Sequence, residues 1–340
     1  MNIKPLISII IPVFNVQDYL DQCIESILIQ DFLNFELVLI NDGSTDNSGV
    51  ISDKYSQIDD RIVVSHQVNE GVSVARNKGL ELSRGNYVLF FDSDDYFEMG
   101  NALSILEAKI DKSNPDVIFY KINLLYANLD DISVPFKKFN VDEFVGFRND
   151  ELFYKLINDS EFKPSVYSKL VRKEILTKNK IFFKKGKTSS EDIEWFLKLF
   201  PCINSFDSIP DFIYTHRLQR PGAITNTIKL ENLEDLLDTI RNEKERFEIN
   251  DHKYSKLYRQ CHYSYLAYQY TILMGLYSNL KDADKINIKH ELLALKDLLN
   301  FQLYKRTFQI SKINYIFGFN ITSIILGYYI KLRNKGKVNL

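Results

Sequence analysis

Residues 87–96 read YVLFFDSDDY, an apolar run that ends in three carboxylates, Asp92, Asp94 and Asp95. Such a run predicts a strand that is buried on both faces. Burying an unpaired carboxylate costs on the order of several kcal/mol, and neighbouring like charges increase that cost. Taken alone, the pattern favours a solvated acidic turn before the next helix. The functional alternative is a site for Mg²⁺ or Mn²⁺, which prefer carboxylate oxygen.

The segments on either side of this stretch alternate between strand and helix patterns. Predicted strands cover residues 6–13, 35–40, 61–65, 87–91 and 116–120, and the clearest helices between them cover 19–28, 72–82 and 101–110. This alternation predicts an α/β fold with a mostly parallel, doubly wound, Rossmann-like sheet. Ligands of such sheets bind at the carboxyl ends of the strands, which is where Asn15, Asp42 and Asp92 lie in the sequence.

The composition is that of a soluble globular protein of about two domains. Of the 340 residues, 45% are hydrophobic and 26% are charged, and the net charge of −2 gives no indication of a nucleic-acid partner. The three cysteines are far apart, which argues against both a disulfide framework and a zinc site. The first apolar run ends at Pro12 and is too short for a signal peptide, so we expect a cytoplasmic protein.

The C-terminal part of the sequence is helix-like from residue 230 to 300 and then becomes basic. No acidic residue follows Asp297, and residues 313–330 carry no charge. These features favour a membrane-associating tail over residues 303–340 that lies in the interface of an anionic membrane. The alternative is a helix that docks on the protein core or in a dimer interface.

Three stretches of the first hundred residues together resemble the nucleotide-sugar-binding half of family 2 of the glycosyltransferases, which has the GT-A fold. They are IIIPVFN at 9–15, LVLINDGSTDNS at 37–48 and EGVSVARNKGLELSRGNYVLFFDSDD at 70–95. The resemblance continues more thinly through SKLVR at 168–172, SEDIEW at 190–195 and YTHR at 214–217. It implies a GT-A catalytic domain over 1–225, divided into a nucleotide-sugar-binding half (1–97) and an acceptor-side half (98–225). A helical region over 226–340 would follow.

The resemblance also implies roles for individual residues. It places the nucleotide-sugar donor against Pro12, Val13, Asn15, Asp42, Arg76, Asp92 and Ser93. It makes Asp94 the main ligand of Mn²⁺ or Mg²⁺, with Asp92 near the metal, and it makes Asp192 the general base. Candidate phosphate or acceptor contacts are Lys169, Glu191, His216 and Arg217. The alternative for Asp192 is the acidic first turn of an N-capped helix, and Lys169 has the alternative of an ordinary surface charge.

These implications together predict an inverting, metal-dependent glycosyltransferase. It would move one sugar, a hexose or N-acetylhexosamine, from a UDP-sugar to a glycan or lipid-linked acceptor during synthesis of a bacterial surface polysaccharide. The expected partners include an anionic membrane at the inner face and a second copy in a homodimer. One alternative is a non-catalytic, nucleotide-binding subunit of a glycosyltransferase complex. Another is a metal-dependent nucleotidyltransferase, which the absence of a Gly-rich basic loop after the first strand disfavours.

Overall fold

The computed structural model describes residues 4–126, 132–135, 146–158, 164–218 and 230–336. The chain divides into two compact units. Unit 1 comprises residues 1–149, 161–187 and 191–226, and unit 2 comprises 150–160, 188–190 and 227–340. The predicted domain boundary at 225 falls within 219–229, and the end of the predicted tail falls within 337–340; both segments lie outside the described residues.

Strands and helices alternate through the first part of the chain, as the apolar patterns predict. The elements are β1 (Ile7–Val13), α1 (Gln17–Leu28), β2 (Phe35–Asp42), α2 (Ser48–Ser56), β3 (Ile62–Gln67), α3 (Val72–Leu82), β4 (Tyr87–Phe90), β5 (Tyr96–Phe97), α4 (Ala102–Ser113) and β6 (Val117–Tyr126). They continue with β7 (Ile132–Pro135), α5 (Asn149–Asn158), β8 (Lys169–Arg172), α6 (Lys173–Lys178), α7 (Glu191–Leu199) and β9 (Phe206–Leu218).

The strands form one sheet in the order β3-β2-β1-β4-β8-β6-β9-β5, with β7 added beside β6. Strands β3, β2, β1 and β4 are parallel to one another, and Ile9 of β1 is in register with Leu37 of β2 and Leu89 of β4. Beyond β4 the sheet is mixed, because β8 runs antiparallel to both of its neighbours while β6 and β9 are parallel. The α/β fold is confirmed. The first three sequence motifs lie in its parallel part.

Strands β1, β2 and β4 are buried on both faces, which explains why they are almost purely apolar. One polar exception lies between β1 and β2, where the Ser8 hydroxyl donates to the Glu36 carboxylate over 2.6 Å. Arg84 donates to the same carboxylate from its backbone N–H and, over 2.8 Å, from Nε. The only tryptophan of the sequence, Trp195, is 1% exposed and stacks on Phe183, so it packs in the core.

Unit 2 is helical, as the sequence predicts for the C-terminal region. In addition to most of α5 it contains α8 (Leu230–Glu248), α9 (Lys256–Tyr277), α10 (Asp282–Ala294) and α11 (Lys305–Gly336). Helix α11 is kinked at Gly318, whose φ of 72° lies in the left-handed region that favours glycine. Among the described residues, α11 is the one helix long and apolar enough to cross a membrane.

Candidate functional site

The carboxyl ends of β1 and β2 are tied together by side-chain hydrogen bonds. Asn15 has a left-handed backbone with φ of 50°, and its Oδ1 accepts the backbone N–H of Thr45 over 2.8 Å. The Ser44 hydroxyl in turn accepts the N–H of Asn15 over 3.2 Å. The NDGSTDNS loop therefore serves as more than a turn, because it fixes the backbone that follows β1. Of the two predicted ligand contacts before Asn15, Pro12 is partly buried and Val13 is fully buried.

Asp42, the last residue of β2, organises the loop that leads into α3. Its Oδ1 accepts from Gln67 Nε2 at 2.8 Å and from the N–H of Glu70 at 2.9 Å, and its Oδ2 accepts the N–H of Gly71 at 2.8 Å. Gly71 has a φ of 91°, a conformation that glycine adopts without strain. An ionised carboxylate has about four acceptor positions, so Asp42 retains capacity for one further donor.

Arg76 connects the DSDD motif to the start of α7. Its Nη2 donates to Asp92 Oδ1 over 2.9 Å, and its Nη1 donates to Glu191 Oε1 over 2.8 Å. The guanidinium is buried, and its pKa is raised because the two carboxylates outweigh the opposing effect of burial. Arg76 thus holds together two acidic residues that the sequence places in separate motifs.

Asp95 is 1% exposed and anchors the end of β9. Its Oδ2 accepts from the Tyr214 hydroxyl and lies 2.9 Å from His216 Nδ1, and its Oδ1 accepts the N–H of Arg217 over 2.7 Å. Burial raises the pKa of Asp95 to about 6, and the neighbouring His216 opposes that rise. The Tyr214 hydroxyl also accepts the N–H of Asp92 over 3.3 Å, so a single tyrosine links Asp92 and Asp95.

The group formed by Asp92, Asp95 and His216 fits a divalent cation, because each residue offers one ligand atom and these atoms lie within 4.8 Å of one another. Carboxylate oxygen and imidazole nitrogen suit Mn²⁺, and carboxylate suits Mg²⁺. Asp95 already accepts three hydrogen bonds, one of them at His216 Nδ1, so it orients His216 and keeps one acceptor position. A carboxylate at Nδ1 leaves the Nε2 lone pair of a neutral imidazole for the metal. Asp94 lies in the same acidic turn and is partly buried.

His216 is further fixed by Tyr167, whose ring stacks on the imidazole with 4.7 Å between centroids. Tyr167 also stacks on Tyr214 at 5.1 Å. Burial lowers the pKa of His216, but the charges of Asp95, Asp92 and Asp94 have the greater combined effect and raise it above its ordinary value. Arg217 turns away from this group: its guanidinium donates to Gln22 over 2.7 Å and covers the ring of Tyr19.

Asp192 occupies the first turn of α7, next to Glu191. Burial, together with the negative charge of Glu191, raises the pKa of Asp192 to about 6, although Arg76 and Lys169 oppose the shift. A carboxylate with that pKa is ionised at neutral pH and is a stronger base than an ordinary aspartate. The predicted acidic first turn of a helix is confirmed, and this position does not conflict with a role as a base.

Lys169 is not a surface charge, because it is 1% exposed. Its ammonium donates to the carbonyl oxygens of Pro164 and Ser165 and, over 3.0 Å, to the Ser168 hydroxyl. Burial lowers its pKa to about 7, and the negative charge of Asp192 counteracts that shift. Three acceptors match the three donors of an ammonium, so Lys169 orders the segment before β8.

The structure therefore brings most of the predicted site residues to one region of unit 1. Asp92, Arg76 and Glu191 are in direct contact, and Ser93 is buried between the acidic residues of its motif. The contacts of Asp95, Tyr167 and Tyr214 were not among the features that the sequence predicts. Asp95 belongs to the quoted acidic run and Tyr214 precedes His216 by two residues, so a signal existed for both. Tyr167 comes directly before SKLVR, and no sequence signal indicated its role.

Comparison with known proteins identifies the family of the chain. The family model described as "Glycosyl transferase family 2" matches residues 8–175. Glycosyltransferase GlyG of Streptococcus pneumoniae is 30% identical over 233 residues, which are 65% of this chain and 73% of GlyG. The cholesterol galactosyltransferase of Borreliella burgdorferi is 26% identical over 347 residues, 97% of this chain and 93% of that protein.

Other matches are shorter or more distant. The chain covers 18%, 35% and 27% of three further curated glycosyltransferases that it matches at 43%, 41% and 42% identity. A crystal structure of S. aureus TarS in complex with UDP-GlcNAc superposes with a TM-score of 0.71 at 22% identity, over 96% of this chain and 92% of that one. It shows that the two chains share a GT-A fold. The extent of the GlyG match and the family model lead to one conclusion: the chain belongs to glycosyl transferase family 2.

Proposed function

We propose that the protein is a metal-dependent, inverting glycosyltransferase that transfers a single hexose or N-acetylhexosamine from a nucleotide donor, most simply a UDP-sugar. The observation that carries the proposal is the Arg76 bridge between Asp92 and Glu191. Through it the acidic motif that would face the diphosphate is fixed relative to the helix turn that carries Asp192. A cation site and a base are the two groups that sugar transfer from a nucleoside diphosphate requires.

The donor would lie at the carboxyl ends of β1, β2 and β4. Asp42, which retains one acceptor position, is suited to an N–H group of the base, and Asn15 with Pro12 would border the nucleoside. We favour uracil because the TarS structure with the same fold holds UDP-GlcNAc. Arg76 lies beside Asp92 and would place its positive charge near the diphosphate.

Asp94, Asp92 and His216 would hold the divalent cation, with Asp95 and Tyr167 orienting His216. Mg²⁺ or Mn²⁺ in that position supplies positive charge that offsets the negative charge of the departing diphosphate. The hydroxyl of His216's neighbour Tyr214 keeps Asp92 and Asp95 in a fixed relation by bonding to both. These residues would thus be positioned before the donor binds.

Asp192 would accept the proton of the acceptor hydroxyl as that oxygen attacks the anomeric carbon. Its pKa of about 6 leaves it ionised at neutral pH while keeping it a better base than a solvated aspartate. Attack on the face opposite the departing diphosphate inverts the anomeric centre. Lys169 lies close enough to affect the pKa of Asp192 and would stabilise its ionised form.

The acceptor in this proposal is a glycan or a lipid-linked saccharide of a bacterial surface polysaccharide, and the enzyme acts in the cytoplasm at the inner face of the membrane. The match over nearly the whole chain to a galactosyltransferase whose name gives cholesterol as its acceptor supports an amphiphilic acceptor. The basic, acid-free sequence after Asp297 supports contact with an anionic surface. A homodimer, if it forms, would use a surface other than this basic one.

A donor-hydrolysis assay distinguishes this proposal from the alternative, a non-catalytic subunit that binds nucleotide. The purified chain is incubated with UDP-glucose, UDP-galactose, UDP-GlcNAc and GDP-mannose, with Mn²⁺ or with EDTA, and released nucleoside diphosphate is measured. We expect slow release from one donor with Mn²⁺, none with EDTA, and a large loss of release in Asp94→Ala. Nucleotide binding without release from any donor would instead identify a non-catalytic subunit.

A further inference from the structure

Helix α11 buries several small and polar residues, while large apolar residues of the same helix stay exposed. The residues it turns toward α9 include Thr322 and Ser323, each 1% exposed, and the buried Gly327. Its outward residues are large and apolar: Tyr315 is 92% exposed and Tyr328 is 66% exposed. A soluble helix normally does the opposite, with apolar residues toward the core and polar ones toward water.

The inward face uses small residues for close backbone contact with α9. A Cβ added at Gly327 would lie 2.9 Å from the carbonyl oxygen of Gly275 and would collide with the Ser278 hydroxyl. A Cβ added at Gly275 would meet Ile330 and Leu326 of α11 in the same way. Small residues at such a contact, with large apolar ones facing away, are typical of helices that border lipid.

The outward residues form an apolar stripe along the part of α11 that follows Gly318. Beyond the Gly318 kink its exposed members follow at three- and four-residue spacing: Ile321, Ile324, Ile325, Tyr328, Tyr329 and Leu332. Before the kink the exposed large apolar residues are Phe308, Tyr315, Ile316 and Phe317. This surface belongs to residues that no other described element of unit 2 covers.

The charges beside the stripe identify what covers it. Lys305, Arg306, Lys312 and Lys331 lie on the same helix, and the sequence has no acidic residue after Asp297. A second copy of the chain would bring an identical basic surface against this one, which is unfavourable. Anionic lipid headgroups are complementary to it, and the tyrosine side chains suit the boundary between headgroups and acyl chains.

We propose that the outward face of α11 inserts into the interfacial layer of an anionic membrane, with the helix axis along the surface. The helix does not cross the bilayer in this arrangement, since its other face packs on α9, and α9 also packs against the charged helices α8 and α10. This inference deepens the membrane location given under the proposed function and rests on that proposal. The residues that support it all lie in unit 2.

The test compares two identical substitutions at equally exposed isoleucines of the full chain. Ile324→Glu places a charge within the stripe, where the native side chain is 64% exposed, and Ile249→Glu places one after α8, at 73% exposure. Binding is measured by co-sedimentation with vesicles of phosphatidylcholine alone and of roughly three parts phosphatidylcholine to one part phosphatidylglycerol. Nucleotide binding and the oligomeric state of each variant are measured in parallel.

We expect the wild type and Ile249→Glu to bind the anionic vesicles, with binding that weakens as salt is added, and Ile324→Glu to bind at least ten-fold more weakly. Absence of wild-type binding to anionic vesicles would overturn the inference. So would a wild-type dimer that Ile324→Glu converts to a monomer while vesicle binding stays unchanged. Unaltered nucleotide binding in all three proteins would separate either failure from a failure of the proposed function.

Discussion

Arg76 Nη1 lies 2.8 Å from Glu191 Oε1, across 115 residues of sequence. The same guanidinium binds Asp92, and its side chain is only 6% exposed. Removing one partner of a buried ionic group leaves the others uncompensated, which typically costs about 3–5 kcal/mol. We therefore expect Arg76→Met to lower the free energy of unfolding by about that amount. Chemical denaturation monitored by tryptophan fluorescence measures the change.

Arg241 provides the matched control for this prediction. It also joins two carboxylates, Asp238 at 3.0 Å and Glu291 at 2.7 Å, but all three side chains are substantially exposed to solvent. Exposed ion pairs contribute about 0–1 kcal/mol, so Arg241→Met should have a small effect. Equal losses from the two substitutions would show that the Arg76 bridge has no special structural role.

If Asp192 is the general base, as we propose, the rate of sugar transfer depends on pH in a specific way. A general base must be ionised, so kcat/KM should rise as the pH increases through about 6, the pKa to which burial and Glu191 raise this carboxyl. Asp192→Asn should lower kcat by about 10²–10⁴-fold, because general-base catalysis contributes that much. Steady-state rates between pH 5 and 8 give both results, and nucleotide binding should be unchanged in the variant. A wild-type profile that is flat across this range would exclude Asp192 as the base.

In the proposed site, His216 binds the metal ion and Asp95 orients His216. Losing the carboxylate that orients a metal-binding histidine typically lowers affinity about 10–100-fold, and we expect that loss in Asp95→Asn. Because the pKa of His216 is raised, its protonated form persists to a higher pH than a free imidazole, and Mn²⁺ affinity should fall as the pH decreases toward 6. Titration of Mn²⁺ followed by electron paramagnetic resonance measures free and bound ion directly.

His66 is the control for that titration, because it pairs with Asp53 at 2.9 Å in another part of unit 1 and is about half exposed. His66→Gln should leave Mn²⁺ affinity unchanged, whereas His216→Gln should weaken it strongly. If both histidine variants bind Mn²⁺ as tightly as the wild type, the ion is held elsewhere and the assignment of His216 is wrong.

Glu36 makes the free energy of unfolding depend on pH in the acidic range. Burial alone would raise its pKa, but hydrogen bonds from Ser8 and Arg84 have the greater effect and lower it below the ordinary value of 4.5. A lowered pKa contributes stability above the unfolded-state value, and that contribution is lost as the pH falls through the folded-state value. We expect Glu36→Gln to be about 1.5–3 kcal/mol less stable at pH 7, since hydrogen bonds to a charged group are of that size. Urea melts at pH 7 and pH 4 should show the difference shrinking at the lower pH.

The sequence predicted the parallel part of the fold well, because apolar strands that are covered on both faces are visible as uninterrupted runs. The run at 87–91 became β4 with one residue fewer, and the run at 35–40 became β2 with two residues more. Strand β8 gave no comparable signal. It has four residues and lies between β4 and β6 only because of antiparallel pairings made over long distances in sequence.

The candidate site was predictable in its residues but not in its connections. Family resemblance named Arg76, Asp92 and Glu191, yet no sequence pattern states that one guanidinium binds both carboxylates. The resemblance implies a phosphate or acceptor contact for Lys169, but no sequence pattern indicates that its buried ammonium donates to the carbonyl oxygens of Pro164 and Ser165. Such contacts depend on how loops close over the sheet, which local spacing does not encode.

The central claim is that unit 1 binds a nucleoside diphosphate with a metal ion held at the DSDD turn. Its most direct test is a thermal-shift panel of UDP, GDP, CMP and dTDP, each with and without Mn²⁺, on the wild type and Asp94→Ala. A ligand at a hundred times its dissociation constant stabilises by about 2.7 kcal/mol, which is readily detected. We predict that UDP stabilises the wild type only with Mn²⁺ and does not stabilise Asp94→Ala. If no nucleotide shifts the wild type with or without metal, the claim is contradicted.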